Sequence, residues 1–470
     1  MLFNSPLFLF LFLPVFLALY FLSGKKLRNT AALAASVLFY AWGAPEFILV
    51  VIISGIIDWY LGNLIYKSQT TGARKAFTAI SVIQNTGILA YFKYANFFVS
   101  NMGKAIAVFG MAPLTLARIA LPIGVSFIVF EKITYTVDIY RQTGKPSPRL
   151  DTYLLYVFLF PKLLSGPIIK YHDIAGQLED RPHMAENISA GLARFGFGLA
   201  KKVLIADSLG EAVDRIFKLP HSGLGFYNAW AGVICFALQI YFDFSGYSDM
   251  AIGICRMMGF RIPENFNAPY IAANFTEFWR RWHISLSTWI RDYLYIPLGG
   301  NRVPKYRVYF NLWLCFLISG LWHGANWTFV AWGAYHGTFL IADRLFWANL
   351  QKKLPRALNT AFTFFFLLIG WAIFRSADIA QAGYYIRALL NPFDRGGDLV
   401  YTGAQTVFFA SAGLVMAFLP GFRFYERAAD KFRGIAWNKE LELAGAFLLC
   451  FISIGKISMT SFHPFLYFRF

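Results

Sequence analysis

Charge is scarce in this chain of 470 residues: Asp, Glu, Lys and Arg make up 14% of it, where a soluble domain carries roughly 25%. That shortage excludes a soluble protein built on one ordinary core. Acidic residues are the scarcer half, 25 against 43 Lys and Arg, for a formal net charge of +18. In a soluble protein such an excess would suggest nucleic acid, but a membrane protein carries its cations at its cytoplasmic ends, so no nucleic-acid partner is expected. Cysteine is nearly absent. Cys235, Cys255, Cys315 and Cys450 are isolated within apolar segments, which argues against a disulfide framework or a zinc site. A serine-hydrolase elbow, a Walker-type phosphate loop and an H-E-x-x-H zinc motif are also missing. Haem would need two histidines facing one iron, and no such arrangement is evident.

What the chain has instead is apolar bulk, 57% of residues with 19% aromatic. The apolar runs are continuous and close to the roughly 20 residues that cross a bilayer, the signature of an all-α polytopic membrane protein. A β-barrel would alternate. The opening run Leu7 to Leu22 lacks a basic leader and a small-residue cleavage site, so it is expected to be a retained first helix. Basic clusters at Lys25, Lys26 and Arg28, at Lys67, Arg74 and Lys75, at Lys352, Lys353 and Arg356, and from Arg423 to Lys439 assign those ends to the cytoplasm. Both termini then lie outside, which requires an even number of crossings.

The middle segments near 121–140, 150–169 and 190–206 are interrupted by Pro122, Pro161, Gly166-Pro167 and the lone cation Lys162. Broken or re-entrant helices are expected there, because non-helical backbone survives at membrane depth only under a cover of protein or around a water-filled cavity. Later spans are expected near 226–255, 308–322, 327–347, 359–374, 403–419 and 441–459. No soluble second domain and no fixed-period repeat is visible.

Chemistry concentrates in 276–337, which holds three of the seven histidines. An ionisable group in or beside an apolar span is a functional candidate by default. Read as one helix, 276–295 places Trp279, His283, Leu286 and Ile290 on one face and Arg280, Ser287 and Arg291 on another. Arg280, Arg281 and Arg291 then serve either as headgroup anchors or as contacts for the phosphates of an acyl donor; Glu277 and Arg281 have the spacing of an ion pair. His323 lies at a break between two spans, beside Trp322 and Asn326, and reads as a general base or as part of a helix junction. His336 reads as a packed histidine bonded to a carbonyl, or as a second catalytic group. Asp243 and Asp249 either tune or orient a histidine or satisfy basic residues such as Arg256 and Arg261. His172, His183 and His221 sit in polar segments and read as incidental.

Three runs, Phe278-Trp279-Arg280-Arg281-Trp282-His283-Ile284-Ser285-Leu286-Ser287, Arg291-Asp292-Tyr293-Leu294-Tyr295-Ile296-Pro297-Leu298-Gly299-Gly300 and Leu321-Trp322-His323-Gly324-Ala325, resemble the membrane-bound O-acyltransferase (MBOAT) family, in the bacterial branch that O-acetylates alginate and peptidoglycan. Phe160-Pro161-Lys162-Leu163-Leu164-Ser165-Gly166-Pro167 resembles a further segment of that family. It reads either as a plain helix break or as part of the lining of a reaction chamber. The resemblance runs from Leu9 to Phe470 and implies an MBOAT-type helical bundle, one membrane-embedded domain over 1–470 with broken helices around a central reaction chamber and its catalytic centre in 276–337. It further implies His323 as the essential histidine, His283 as a second characteristic polar position, no bound cofactor, and acetyl-CoA or another acyl thioester as co-substrate. The implied setting is the bacterial inner membrane, with a periplasmic or membrane-anchored O-acetyltransferase partner and a polysaccharide acceptor. The tail 460–470 ends in an F-x-Y-x-x-F pattern similar to one in the partner peptide of the related teichoic-acid D-alanylation system, which implies Tyr467 as a transient acyl carrier. A polytopic transporter or flippase, or a scaffold subunit of a secretion complex, fits the composition equally well.

Overall fold

The computed structural model describes all residues except Pro113, Thr115, His183, Leu399, Tyr401, Thr402, 460–464 and 467–470. Among the described residues the chain is helical, with one isolated bridge between Phe266 and Trp282. Its packing divides into two compact units, Met1–Gly191 with Ala251–Pro263, and Leu192–Met250 with Glu264–Phe470. In chain order the helices are α1 Leu13–Leu22, α2 Arg28–Gly43, α3 Ile48–Lys67, α4 Thr71–Leu89, α5 Ala95–Ala107, α6 Val125–Tyr140, α7 Leu150–Phe158, α8 Phe160–Leu163, α9 Tyr171–Glu179, α10 Ala185–Ala200, α11 Asp207–Phe217, α12 His221–Leu224 and α13 Phe226–Met257. There follow α14 Phe275–Arg281, α15 Ile284–Ile290, α16 Lys305–His323, α17 Trp327–Ala342, α18 Ala348–Gln351, α19 Arg356–Arg375, α20 Ile379–Leu390, α21 Gly403–Phe418, α22 Arg423–Arg433 and α23 Asn438–Met459. Among the described residues five helices, Pro45–Lys67, Phe226–Met257, Arg356–Arg375, Gly403–Gly421 and Asn438–Met459, are long and apolar enough to cross a membrane. Large apolar side chains such as Leu49, Val407, Phe447 and Phe451 stay exposed on them, which in a bilayer is lipid-facing surface rather than a liability.

The first unit contains the break expected at Pro161. α7 ends at Phe158, α8 is a single turn, and the chain runs on irregularly to Lys170, with every residue from Leu155 to Ile169 buried. Protein satisfies this backbone: the Phe160 amide donates to Ser36 Oγ at 3.1 Å, and Tyr156 Oη donates to the Ile169 carbonyl at 2.8 Å. Phe160 itself fills an aromatic cluster, 5.0 Å from Phe16 and 5.3 Å from Phe39 between ring centroids. Lys162 is buried with Glu131 as its ion-pair partner, and Lys132 lies 3.1 Å from the buried Asp58, which also accepts from Ser81 at 2.6 Å and Asn85 at 2.9 Å. Each of these buried charges thus has a counter-charge, as the low-dielectric setting demands.

In the second unit α16 and α17 form the tightest helix pair, and the cause is small residues. A Cβ on Gly320 would lie 2.2 Å from the Phe329 carbonyl oxygen, and one on Gly333 would lie 2.4 Å from that of Phe316. Only glycine at both positions lets the backbones approach so closely. α19 packs on α17 through Tyr335 Oη, which donates to the Phe366 carbonyl at 2.8 Å.

Candidate active site

The stretch 276–295 is not one helix. Asn274 caps α14 by accepting from the Glu277 amide at 2.7 Å, and α14 stops at Arg281. His283 then adopts the left-handed conformation, φ 45° and ψ 53°, before α15 begins, a backbone state that non-glycine residues occupy only when their surroundings impose it. Asn265 imposes it. Its backbone carbonyl accepts from the Ile284 amide at 3.0 Å, and its Oδ1 accepts from Ser285 Oγ at 2.9 Å and from the Ser285 amide at 3.3 Å. Asn265 Nδ2 donates onward to Ser248 Oγ at 3.1 Å. The expected face of Trp279, His283, Leu286 and Ile290 is buried in protein.

The cations of this stretch are mostly engaged. Arg281 pairs with Glu277 at 3.0 Å, as its spacing predicted, and Arg356 reaches the same carboxylate at 3.0 Å. Burial acts to raise the Glu277 pKa, but the Ala273 amide and the Arg356 and Arg281 guanidiniums outweigh it and hold the carboxyl below its usual value. Arg291 pairs with Asp292 at 2.6 Å. Arg280 is exposed.

His323 ends α16 and is 8% exposed. Rings enclose it: Trp322 at 5.0 Å, Trp332 at 5.1 Å and Phe374 at 5.4 Å between centroids. Trp322 also lies 6.2 Å from His283, so one indole packs against both histidines. Asn326 is the N-cap of α17, accepting from the Thr328 amide at 3.2 Å, and its Nδ2 donates to the Ala377 carbonyl at 2.8 Å. It fixes the turn after His323. His336 is buried between Trp332 at 4.7 Å and Trp279 at 5.1 Å. Neither of its ring nitrogens has a hydrogen-bond partner among the described residues, which corrects the expectation of a bond to a carbonyl. The indole N–H groups of Trp279 and Trp332 are likewise unpartnered there.

Among the described residues Asp243 and Asp249 bind neither a histidine nor Arg256 or Arg261. Asp243 Oδ1 lies 2.6 Å from Lys202 Nζ, and Asp249 lies 2.6 Å from both Arg194 and Lys201. They satisfy basic residues, as one reading expected, but other ones than Arg256 and Arg261, because pairing followed helix packing: α10 and the segment after it lie along α13, where Gly198 and Gly246 meet backbone to backbone. Tyr467 and His183 lie outside the described residues. His172 Nδ1 sits 2.8 Å from Asp138 Oδ2, and His221 stacks on Tyr384 at 3.6 Å. Sequence reasoning missed Asn265 and Ser285, for which no local pattern was a signal, and Gly320 and Gly333, whose spacing across two spans was one. No three described His, Cys, Asp or Glu side chains are grouped to hold a metal.

The membrane-bound O-acyltransferase family model matches residues 125–379. The chain is 41% identical over 495 residues to the "Probable alginate O-acetylase AlgI" of Pseudomonas putida, covering all of both chains, and 43% identical over 435 residues to that of Pseudomonas aeruginosa, covering 91% of this chain and 83% of the relative. It is 35% identical over 426 residues to the "Peptidoglycan O-acetyltransferase" of Helicobacter pylori, covering 83% and 80%. With its helical membrane-spanning fold and with His283, His323 and His336 packed among Trp279, Trp322 and Trp332, this chain belongs to the membrane-bound O-acyltransferase family and is a multi-pass membrane O-acyltransferase.

Proposed function

We propose that this enzyme takes acetyl groups from acetyl-CoA at the cytoplasmic face of a bacterial inner membrane and delivers them for O-acetylation of an extracytoplasmic polysaccharide of the alginate type. The observation that carries the reading is that His323 and His283 both pack against the ring of Trp322, at 5.0 and 6.2 Å between centroids. His323 is the general base: neutral imidazole takes the proton of the attacking hydroxyl, the oxygen bonds to the thioester carbonyl carbon, the carbon–sulfur bond breaks, and the thiolate leaves with the proton from His323. His283 is the second polar group of the chamber. Arg280, exposed beside the paired Arg281 and Arg291, is the cation of this stretch best able to meet the donor's phosphates.

Tyr467 is the first acceptor in this scheme. A phenol is a poor nucleophile until a base assists it, and its aryl ester is then more reactive than an alkyl ester, which suits a carrier. From Tyr467 the acetyl group passes to a periplasmic or membrane-anchored partner and so to the glycan. Similarity to the Helicobacter pylori relative favours peptidoglycan as the second choice of acceptor.

The test is acetyl transfer from labelled acetyl-CoA to surface glycan in a deletion strain complemented with variants. Wild type is expected to restore O-acetyl groups, while His323→Ala and His323→Gln restore none despite normal membrane levels and melting. Near-normal transfer by either variant removes His323 as the base. Undiminished transfer by Tyr467→Phe, which loses only the hydroxyl, removes the carrier.

A further inference from the structure

α13 presents Asp243 and Tyr247 one turn apart, and both meet the end of the chain. The Leu466 amide donates to Asp243 Oδ2 at 2.8 Å. The Phe465 ring stands edge-on to Tyr247, 4.8 Å between centroids at 87°, and Lys202 Nζ lies 4.6 Å from the centre of the same ring. Phe465 and Leu466 are 1% and 4% exposed. Chain ends are ordinarily loose unless something ties them down.

The slot is built from charges that are themselves buried. Asp243 is 3% exposed and Lys202 is 1% exposed; the Lys202 ammonium lies 2.6 Å from Asp243 and 2.7 Å from Asp207. One ammonium shared by two carboxylates leaves negative charge to be met by further donors. The Leu466 amide is such a donor, and the aromatic face of Phe465 covers the ammonium. The next residue of the same turn, Phe244, packs edge-on against His283 at 4.7 Å. One turn of α13 therefore touches the tail on one side and the chamber histidine on the other.

We propose that Asp243, Lys202 and Tyr247 form a receptor slot for the chain's own Phe465-Leu466 segment, with Asp243 as a positioning residue that holds it. The catalytic value of this slot rests on the reading of Tyr467 as the carrier; the docking itself does not. Asp243 is then retained for the tail's backbone rather than for tuning a histidine, and Leu466 is recognised chiefly through its N–H.

Hydrogen exchange of the C-terminal peptide in the purified full-length protein tests the slot. Asp243→Ala removes the acceptor and is expected to speed exchange of the tail amides about tenfold or more, while Asp243→Asn, which keeps one acceptor oxygen, retains part of the protection. Equal protection in wild type and Asp243→Ala overturns the proposal. If Asp243→Ala does not fold, Leu466→Pro serves: it removes the donor from the tail and leaves Asp243, Lys202 and Asp207 in place. Faster exchange of the remaining tail amides in Leu466→Pro, at an unchanged melting temperature, supports the slot; unchanged exchange overturns it. Tyr467→Phe separates the two ideas, since a failed carrier leaves glycan acetylation intact in that variant whatever the tail amides show.

Discussion

Asn265 Oδ1 lies 3.1 Å from His283 Nδ1, and that contact decides the state of the imidazole. Because Oδ1 already accepts from Ser285, while the amide nitrogen of Asn265 donates to Ser248, Oδ1 is an acceptor and His283 Nδ1 carries the proton. The Nε2 lone pair is left without a protein partner among the described residues. His283 is thus presented as a neutral acceptor.

Asn265→Ala removes three acceptor contacts at once from a strained turn. It is expected to lower stability by about 1–3 kcal/mol and to cut acetyl transfer at least tenfold, because His283 loses both its tautomer and its direction. Asn265→Asp keeps the acceptor and is expected to retain more activity than Asn265→Ala. The check is a melting curve beside a transfer assay; equal loss in the two variants would show that the amide's role lies elsewhere.

Close approach of α16 and α17 depends on Gly320 and Gly333. Gly333→Val would set a Cβ 2.4 Å from the Phe316 carbonyl oxygen and force the helices apart, at a cost of about 1–3 kcal/mol or more. Since His323 and His336 sit on these two helices, activity is expected to fall further than stability. Gly383→Val on α20, where an added Cβ meets nothing within 4 Å, is the control expected to leave both nearly unchanged.

The buried pair Lys162 and Glu131 is expected to behave asymmetrically. Lys162→Met strands a carboxylate in the first unit and costs about 3–5 kcal/mol, whereas pairing it with Glu131→Gln recovers much of that loss. Thermal melts of the two single variants and the double variant read this directly. A double variant no more stable than the worse single one would mean that the pair is not energetically coupled.

Topology follows from the basic clusters. Single cysteines at Arg28, Gly72 and Asp430 are expected to be shielded from an impermeant reagent applied outside the cell, and one at Leu390 to react. The four native cysteines are buried or partly buried, so background labelling is expected to be low. Labelling at Asp430 from outside would invert the C-terminal half of the chain.

The chain's class was legible in its composition, because a bilayer penalises charge and unpaired backbone so strongly that few residues suffice to show it. The breaks around Pro161 and Gly166, the break after His323 and the pairing of Glu277 with Arg281 were legible for a related reason: each depends on residues a few positions apart. The turn at His283 was not, since a run of apolar and basic residues at helical spacing gives no warning that Asn265, 18 residues earlier, will bond across it. The partners of Asp243 were further from view, with Leu466 following 223 residues later. Local pattern sets which segments are helical and which are interrupted; helix packing alone decides which buried charges and histidines meet, because a side chain's partner is chosen by the helix face that arrives opposite it and not by its place in the chain.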